Sequence, residues 1–191
     1  MKILAFAGSL RNGSYNKKLV KIAAQIAKEK GADLQLVDLS DYPMPLYNAD
    51  IEESDGLPDN CKKLKKMMID SDAFIISSPE YNSSITAVLK NTIDWTSRPE
   101  ESDPHFLAAF KGKFAALISA SPGYFGGYRG LTHLRSLLQE IGVLVIPDHL
   151  SLSNAADAFD EKDQLVNKKK RETLERVVEN LLAFDRSKRR S

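Results

Sequence analysis

The chain has 191 residues, with 27 Lys and Arg against 26 Asp and Glu for a formal charge of +1, 42% hydrophobic and 28% charged residues. That length suits one domain with its own core, here expected over residues 1–185 with a basic, disordered tail at 186–191. The even charge balance removes the electrostatic grounds for a nucleic-acid partner or for a strongly acidic electron carrier. A single cysteine, Cys61, excludes an intrachain disulfide framework and any multi-cysteine metal or iron–sulfur site.

Residues 2–7 form an apolar run in which Ala5-Phe6-Ala7 mimics a signal-cleavage site. The run is shorter than the roughly 7–15 residues of a signal core, so it reads as a buried first strand. No stretch approaches the roughly 18 apolar residues of a membrane span, which gives the expectation of a cytoplasmic protein with no membrane partner. Gly8 to Tyr15 is a loop, and Leu19, Ile22, Ala23, Ile26 and Ala27 then recur at helical spacing until Gly31. Leu34 to Leu39 is a second strand. Ser40 to Pro58, with Pro43, Pro45 and Gly56, reads as a long connection, and a Lys-rich helix from about Asp59 to Ser71 follows.

Ala73 to Ser77 is a third strand, followed by a helix from about Thr86 to Ser97 and a polar loop with Pro99 and Pro104. Phe114 to Ser119 is a fourth strand. A helix from about Arg129 to Ile141, a short fifth strand over Val143 to Ile146 and a long helix from about Asp163 to Phe184 complete the chain. Apolar strands alternating with amphipathic helices predict an α/β protein: a three-layer, doubly wound sheet of five parallel strands in the order 2-1-3-4-5. Ligands in such a sheet lie beyond the carboxyl ends of the strands, where the strand order reverses.

Three loops leave those ends. The first, after strand one, carries Ser9, Arg11, Ser14, Tyr15 and Asn16 and opens a helix. Unpaired N–H groups at a helix start favour an anion, and Arg11 adds a planar cationic fork. The loop is neither G-x-G-x-x-G nor G-x-x-x-x-G-K-[ST], so the dinucleotide and nucleoside-triphosphate fingerprints both fail. A plain helix cap would use the same residues. The second loop, Ser78-Pro79-Glu80-Tyr81-Asn82-Ser83-Ser84, offers backbone donors for a flat polar edge and Tyr81 for a ring face; its alternative role is a Pro turn capped by Ser84 or Thr86. The third runs from Ser119 through Ser121, Pro122 and Gly123 to Tyr128, with glycines that permit close approach and aromatics for stacking. One anion-like and two ring-like loops at one sheet edge point to a mononucleotide site.

Gly8-Ser9-Leu10-Arg11 with Ser14 and Asn16, then Ser78-Pro79-Glu80-Tyr81-Asn82, then Leu89-Lys90-Asn91 with Asp94-Trp95, resemble the NADPH-dependent FMN reductase family over residues 2–183. That family includes quinone, azo-dye and chromate reductases. The resemblance implies a flavodoxin-like fold with bound FMN and with NADPH or NADH as hydride donor. It implies that Ser9, Arg11, Ser14 and Asn16, with Tyr15 beside them, hold the phosphate. Pro79, Glu80, Tyr81, Asn82 and Ser83 would line the flavin ring, with Ser119, Ser121 and Gly123 closing the other side. It further implies a homodimer or homotetramer acting on a small-molecule electron acceptor, with the Lys90–Trp95 helix near a subunit contact or packed in the core.

No side chain is expected to act as a catalytic acid or base, because the flavin supplies the chemistry. An electron carrier and a redox-silent FMN-binding regulator are the competing readings. His105, His133 and His149 lack metal-ligand spacing, and Asp157, Asp160 and Asp163 lack that of a calcium loop. Lysines around Cys61 could lower its pKa. Arg129 and Arg135 are candidates for a 2′-phosphate on the donor.

Overall fold

The first strand is an interior strand of the sheet, and both of its faces are apolar and covered. A computed structural model describes residues 1–184. In it β1 (Lys2–Ala7) sends Ile3, Ala5 and Ala7 into one core and Leu4 and Phe6 into the other. Beside it lie β2 (Asp33–Asp38) and β3 (Ala73–Ser77), then β4 (Phe114–Ala120) and β5 (Leu144–Leu152), giving the order β2-β1-β3-β4-β5. Every neighbouring pair is parallel. This is the expected flavodoxin-like sheet.

Helices cover both faces. α1 (Tyr15–Glu29) and α6 (Lys168–Leu182) pack on one side, burying Leu19, Ile22, Ala23, Ile26 and Ala27 against Leu174, Val177, Val178 and Leu181. α3 (Asp59–Ile69), α4 (Ala87–Thr96) and α5 (Tyr128–Glu140) cover the other through Leu64, Met68, Leu89, Ile93, Leu131, Leu134 and Leu138. The long connection after β2 is ordered: it holds a 3-10 turn (Leu39–Asp41) and the short α2 (Ala49–Asp55). Tertiary contacts fix it. Asn91 receives the Tyr47 N–H at 2.8 Å and donates to the Pro45 carbonyl at 2.9 Å, and the Trp95 indole N–H reaches the same carbonyl at 2.8 Å. Leu89, Ile93 and Trp95 are buried within this chain, so that side of α4 is core.

Two boundaries differ from expectation. β5 runs on to Leu152, through Pro147, because an edge strand tolerates a residue without an N–H. A register shift against Ala115/Leu117 interrupts the ladder, and the Arg135 guanidinium donates there to the carbonyls of Val145, Ile146 and Pro147. α6 begins at Lys168, not Asp163. Asp163 has φ 58°, incompatible with helix, while the Asp160 carboxylate accepts the N–H groups of Lys162 and Gln164 and stabilises a turn. Asn167 then caps the helix, accepting from Lys170 N at 3.1 Å, and Leu165 pairs with Phe159 instead of joining the helical stripe. The basic segment at 186–191 lies outside the described residues.

Candidate functional site

Parallel strands place every β-to-α loop at one edge, and β1, β3 and β4 are adjacent, so their three loops converge. They enclose an open cleft lined by Ser9, Arg11, Ser14, Tyr15 and Asn16, by Pro79, Glu80 and Tyr81, and by Ala120, Ser121 and Pro122.

The first loop leaves β1 at Gly8, whose position is set by α4: a Cβ there would come within 3.0 Å of Leu89. Ser9 is buried and its hydroxyl accepts the Arg11 N–H at 3.3 Å, closing a short turn. Ser14 is the N-cap of α1 with its side chain uncommitted to the cap, and the first turn holds no acidic residue. The N–H groups of the first turn therefore face the cleft without a competing carboxylate. The Arg11 guanidinium lies over the Tyr15 ring at 5.3 Å and donates to the Gly13 carbonyl, so the cation stays at the mouth of this turn. Tyr15 also stacks against Phe159 from the β5–α6 loop, with ring centroids 6.1 Å apart.

Asn16 differs in kind from its neighbours. Its Oδ1 accepts Ala120 N at 3.0 Å and the Ser77 hydroxyl at 2.9 Å, and its Nδ2 donates to Ala120 O at 2.8 Å. Asn16 ties α1 to the ends of β3 and β4, so it positions the first loop where a direct phosphate contact was expected.

The second loop is a two-residue hairpin. Tyr81 and Ser84 exchange both backbone hydrogen bonds at 3.0 Å, and Asn82 and Ser83 both have positive φ, at 51° and 64°. This is the I′-like geometry that Asn tolerates best. It exposes Tyr81 beside the cleft while Asn82 and Ser83 form the exposed tip outside its lining. Thr86 caps α4 through Leu89 N at 3.3 Å and donates to the Gly8 carbonyl at 2.7 Å, joining the second loop to the first. The sequence marked Thr86 only as a cap.

Glu80 binds the second loop to the third. Its carboxylate, 7% exposed, accepts Gly130 N at 3.0 Å and Arg129 Nε at 2.8 Å. Burial works most strongly against its charge, but the Gly130 N–H and the Arg129 guanidinium outweigh it and hold the carboxyl below its ordinary pKa. The third loop is seated by glycine. At Gly127, φ 87°, a Cβ would overlap the Ser119 hydroxyl, and at Gly126, φ 59°, it would strike the backbone of Ser151 and Leu152 at 2.8 Å. Ser119 is itself fully buried, donating to the Ser78 carbonyl at 2.7 Å. It supports the cleft floor from beneath and does not line it, whereas Ser121 does line it and its Oγ accepts Gly123 N at 3.2 Å.

Of the two arginines suggested for a 2′-phosphate, Arg135 is committed to the β5 carbonyls and Arg129 is neutralised by Glu80. Cys61 is buried beside Leu57 and Trp95, and that burial pushes its thiol up to about 12 against the opposing lysines, disfavouring the thiolate. His133 shares a 2.8 Å hydrogen bond with Ser84, and His149 packs on Tyr128. Among the described residues no group of three His, Cys, Asp or Glu could hold a metal, and no helix is long and apolar enough to cross a membrane.

This geometry has known counterparts. A family model for NADPH-dependent FMN reductases matches residues 1–157. An NAD(P)H-dependent FMN reductase from Pseudomonas aeruginosa is 36% identical over 182 residues, covering 95% of this chain and 93% of that protein. An NADPH:quinone oxidoreductase from Arabidopsis thaliana is 33% identical over 187 residues, covering 96% and 91%. Among solved structures, the flavoenzyme NAD(P)H:(acceptor) oxidoreductase FerB from Paracoccus denitrificans superposes with a TM-score of 0.81 at 28% identity, over 96% of each chain. With a five-stranded parallel sheet whose first, third and fourth loops frame one cleft, the chain belongs to the NADPH-dependent FMN reductase family and is an oxidoreductase.

Proposed function

We propose that the protein is an FMN-dependent NAD(P)H:quinone reductase that works by ping-pong turnover, the donor leaving the cleft before the acceptor enters. The observation that carries this reading is the division of the cleft into two chemistries. One side offers the acid-free first turn of α1 beside Arg11; the other offers the Pro79, Tyr81 and Pro122 surfaces. FMN fits that donor set, with a dianionic phosphate at the first and a flat ring at the second.

In this assignment Ser9, Arg11, Ser14 and the N–H groups of Tyr15 and Asn16 hold the phosphate. Pro79, Glu80 and Tyr81 border the ring on one side, and Ser121 with Gly123 on the other. Asn82, Ser83 and Ser119 shape these loops. Bound FMN supplies two-electron transfer, so that NAD(P)H and one proton convert a quinone to its hydroquinone and NAD(P)⁺. The protein's part is to bind and orient: the Glu80 carboxylate, paired with the half-exposed Arg129 guanidinium, keeps the second and third loops at a fixed separation, and the open cleft admits each substrate in turn. Free flavin and azo compounds are acceptors of the same kind. We place the enzyme in the cytoplasm, as a homodimer or homotetramer.

The test is an anaerobic visible spectrum of FMN-supplemented, desalted protein before and after NADPH or NADH, with Arg11→Ala alongside. Wild type retains flavin absorption that bleaches on addition, and steady turnover follows when a naphthoquinone is added. Arg11→Ala weakens FMN binding by roughly 10- to 150-fold, the worth of one charge-assisted hydrogen bond at about 1.5–3 kcal/mol. Retained flavin that neither nucleotide bleaches would instead identify a carrier or a regulator.

A further inference from the structure

The third loop carries two large aromatic side chains that nothing in the fold requires. Tyr124 is 86% exposed and Phe125 55% exposed, just beyond Pro122 of the cleft lining, and Tyr81, which lines the cleft from the second loop, is 58% exposed. Single exposed aromatics are ordinary on protein surfaces, but a group of them on the loops that frame a cleft marks a binding surface. Their placement is also built. Gly126 and Gly127 seat the loop base against the ends of β4 and β5, where any Cβ would collide. Arg129 lies over the Phe125 ring at 5.0 Å, and Phe125 meets Tyr124 edge to face at 5.5 Å. Arg129 is in turn fixed by the Glu80 carboxylate that lines the cleft. A chain of contacts, Glu80 to Arg129 to Phe125 to Tyr124, thus runs from the cleft to the outer wall.

We propose that Tyr124 and Phe125, positioned by Arg129, form the recognition wall for a flat aromatic electron acceptor and set the preference for quinone-like rings over acceptors without a ring face. The inference rests on the quinone reductase reading. A quinone presents two ring faces and two neutral carbonyls, so ring contacts are most of what a protein can grip. The pyridine nucleotide differs, since its phosphates and ribose hydroxyls supply many other contacts. Losing the wall therefore weakens the acceptor more than the donor.

The experiment compares FMN-loaded wild type with Tyr124→Ala, Phe125→Ala and Phe125→Leu, using a 1,4-naphthoquinone and ferricyanide as alternative acceptors. Phe125→Leu keeps the apolar bulk and removes the ring, so it separates recognition from loop collapse. Each variant should raise KM for the naphthoquinone about 3- to 10-fold, the range of one aromatic contact. KM for ferricyanide, KM for NAD(P)H and retained FMN should stay as in wild type. Arg129→Met should raise the naphthoquinone KM about 2- to 5-fold more than it shifts KM for ferricyanide, since the lost Glu80 contact bears on both acceptors, and that excess should vanish in the Phe125→Ala background. Equal shifts for both acceptors, an equal rise for the donor, or no shift at all would overturn the proposal. So would a change in native mass by light scattering, which would assign the patch to a second copy of the chain. A wild type that retains no flavin or shows no turnover with naphthoquinone takes the functional reading down as well, whereas an active wild type with unchanged variants removes only the wall.

Discussion

Cys61 shows how burial and charge compete at a single residue. Lys62 and Lys65 favour its thiolate, yet its pKa is driven by desolvation up to about 12. Native protein near pH 8 should therefore leave the thiol unreactive toward a disulfide reagent, with one equivalent released on unfolding; rapid native labelling would contradict this placement. The sequence suggested the opposite direction, because it displays neighbours along the helix and not the Leu57 and Trp95 side chains packed on the sulfur. Gly127 is the converse case. Its glycine-rich context was legible, but the reason for glycine, the Ser119 hydroxyl beneath it, depends on a residue of another strand.

At the scale of elements, the Glu80 contact joins the second loop to the start of α5. Its carboxyl is held below the ordinary value, so the folded state favours the ionised form. The stabilisation from this pair is fully present above the unfolded-state pKa near 4.5 and is lost as pH falls through the lower folded value. Glu80→Gln should accordingly lower Tm relative to wild type at pH 7, and the gap should close progressively below about pH 4. Thermal unfolding across a pH series measures it; a gap independent of pH would mean that the contact does not depend on charge. Neighbouring β5 illustrates edge-strand control: Pro147, a register break and Arg135 on three carbonyls occupy groups that a free edge would offer to another chain.

For the whole molecule, Asn16 is the residue through which the cleft is assembled, since one side chain joins α1 to the ends of β3 and β4. Asn16→Ala would leave buried groups of Ala120 and Ser77 without partners. The expected loss is roughly 2–4 kcal/mol, lowering Tm by about 5–15 °C, with flavin binding weakened as a consequence. Calorimetry with flavin titration checks both; weakened binding at unchanged Tm would return Asn16 to a direct role at the phosphate.

Hydrophobic periodicity and strand–loop–helix alternation were local signals, and they carried the strand order, the two-layer helix cover and the location of the cleft. Those features follow from the need to bury apolar faces of short elements, which each element displays along its own sequence. The length of β5 and the ordered path of residues 40–58 were not local, while the late start of α6 turned on short-range side-chain bonds that apolar periodicity does not display. The first two depend on Arg135 reaching a register break and on Asn91 and Trp95 binding a distant loop. The same holds around the cleft: residue types suggested an anion-and-ring site, but only the tertiary structure showed that the Asn16 and Ser119 side chains are spent on buried partners within the fold. A short polar side chain reads alike in sequence whether it faces a ligand or a buried carbonyl, and packing across the sheet decides which.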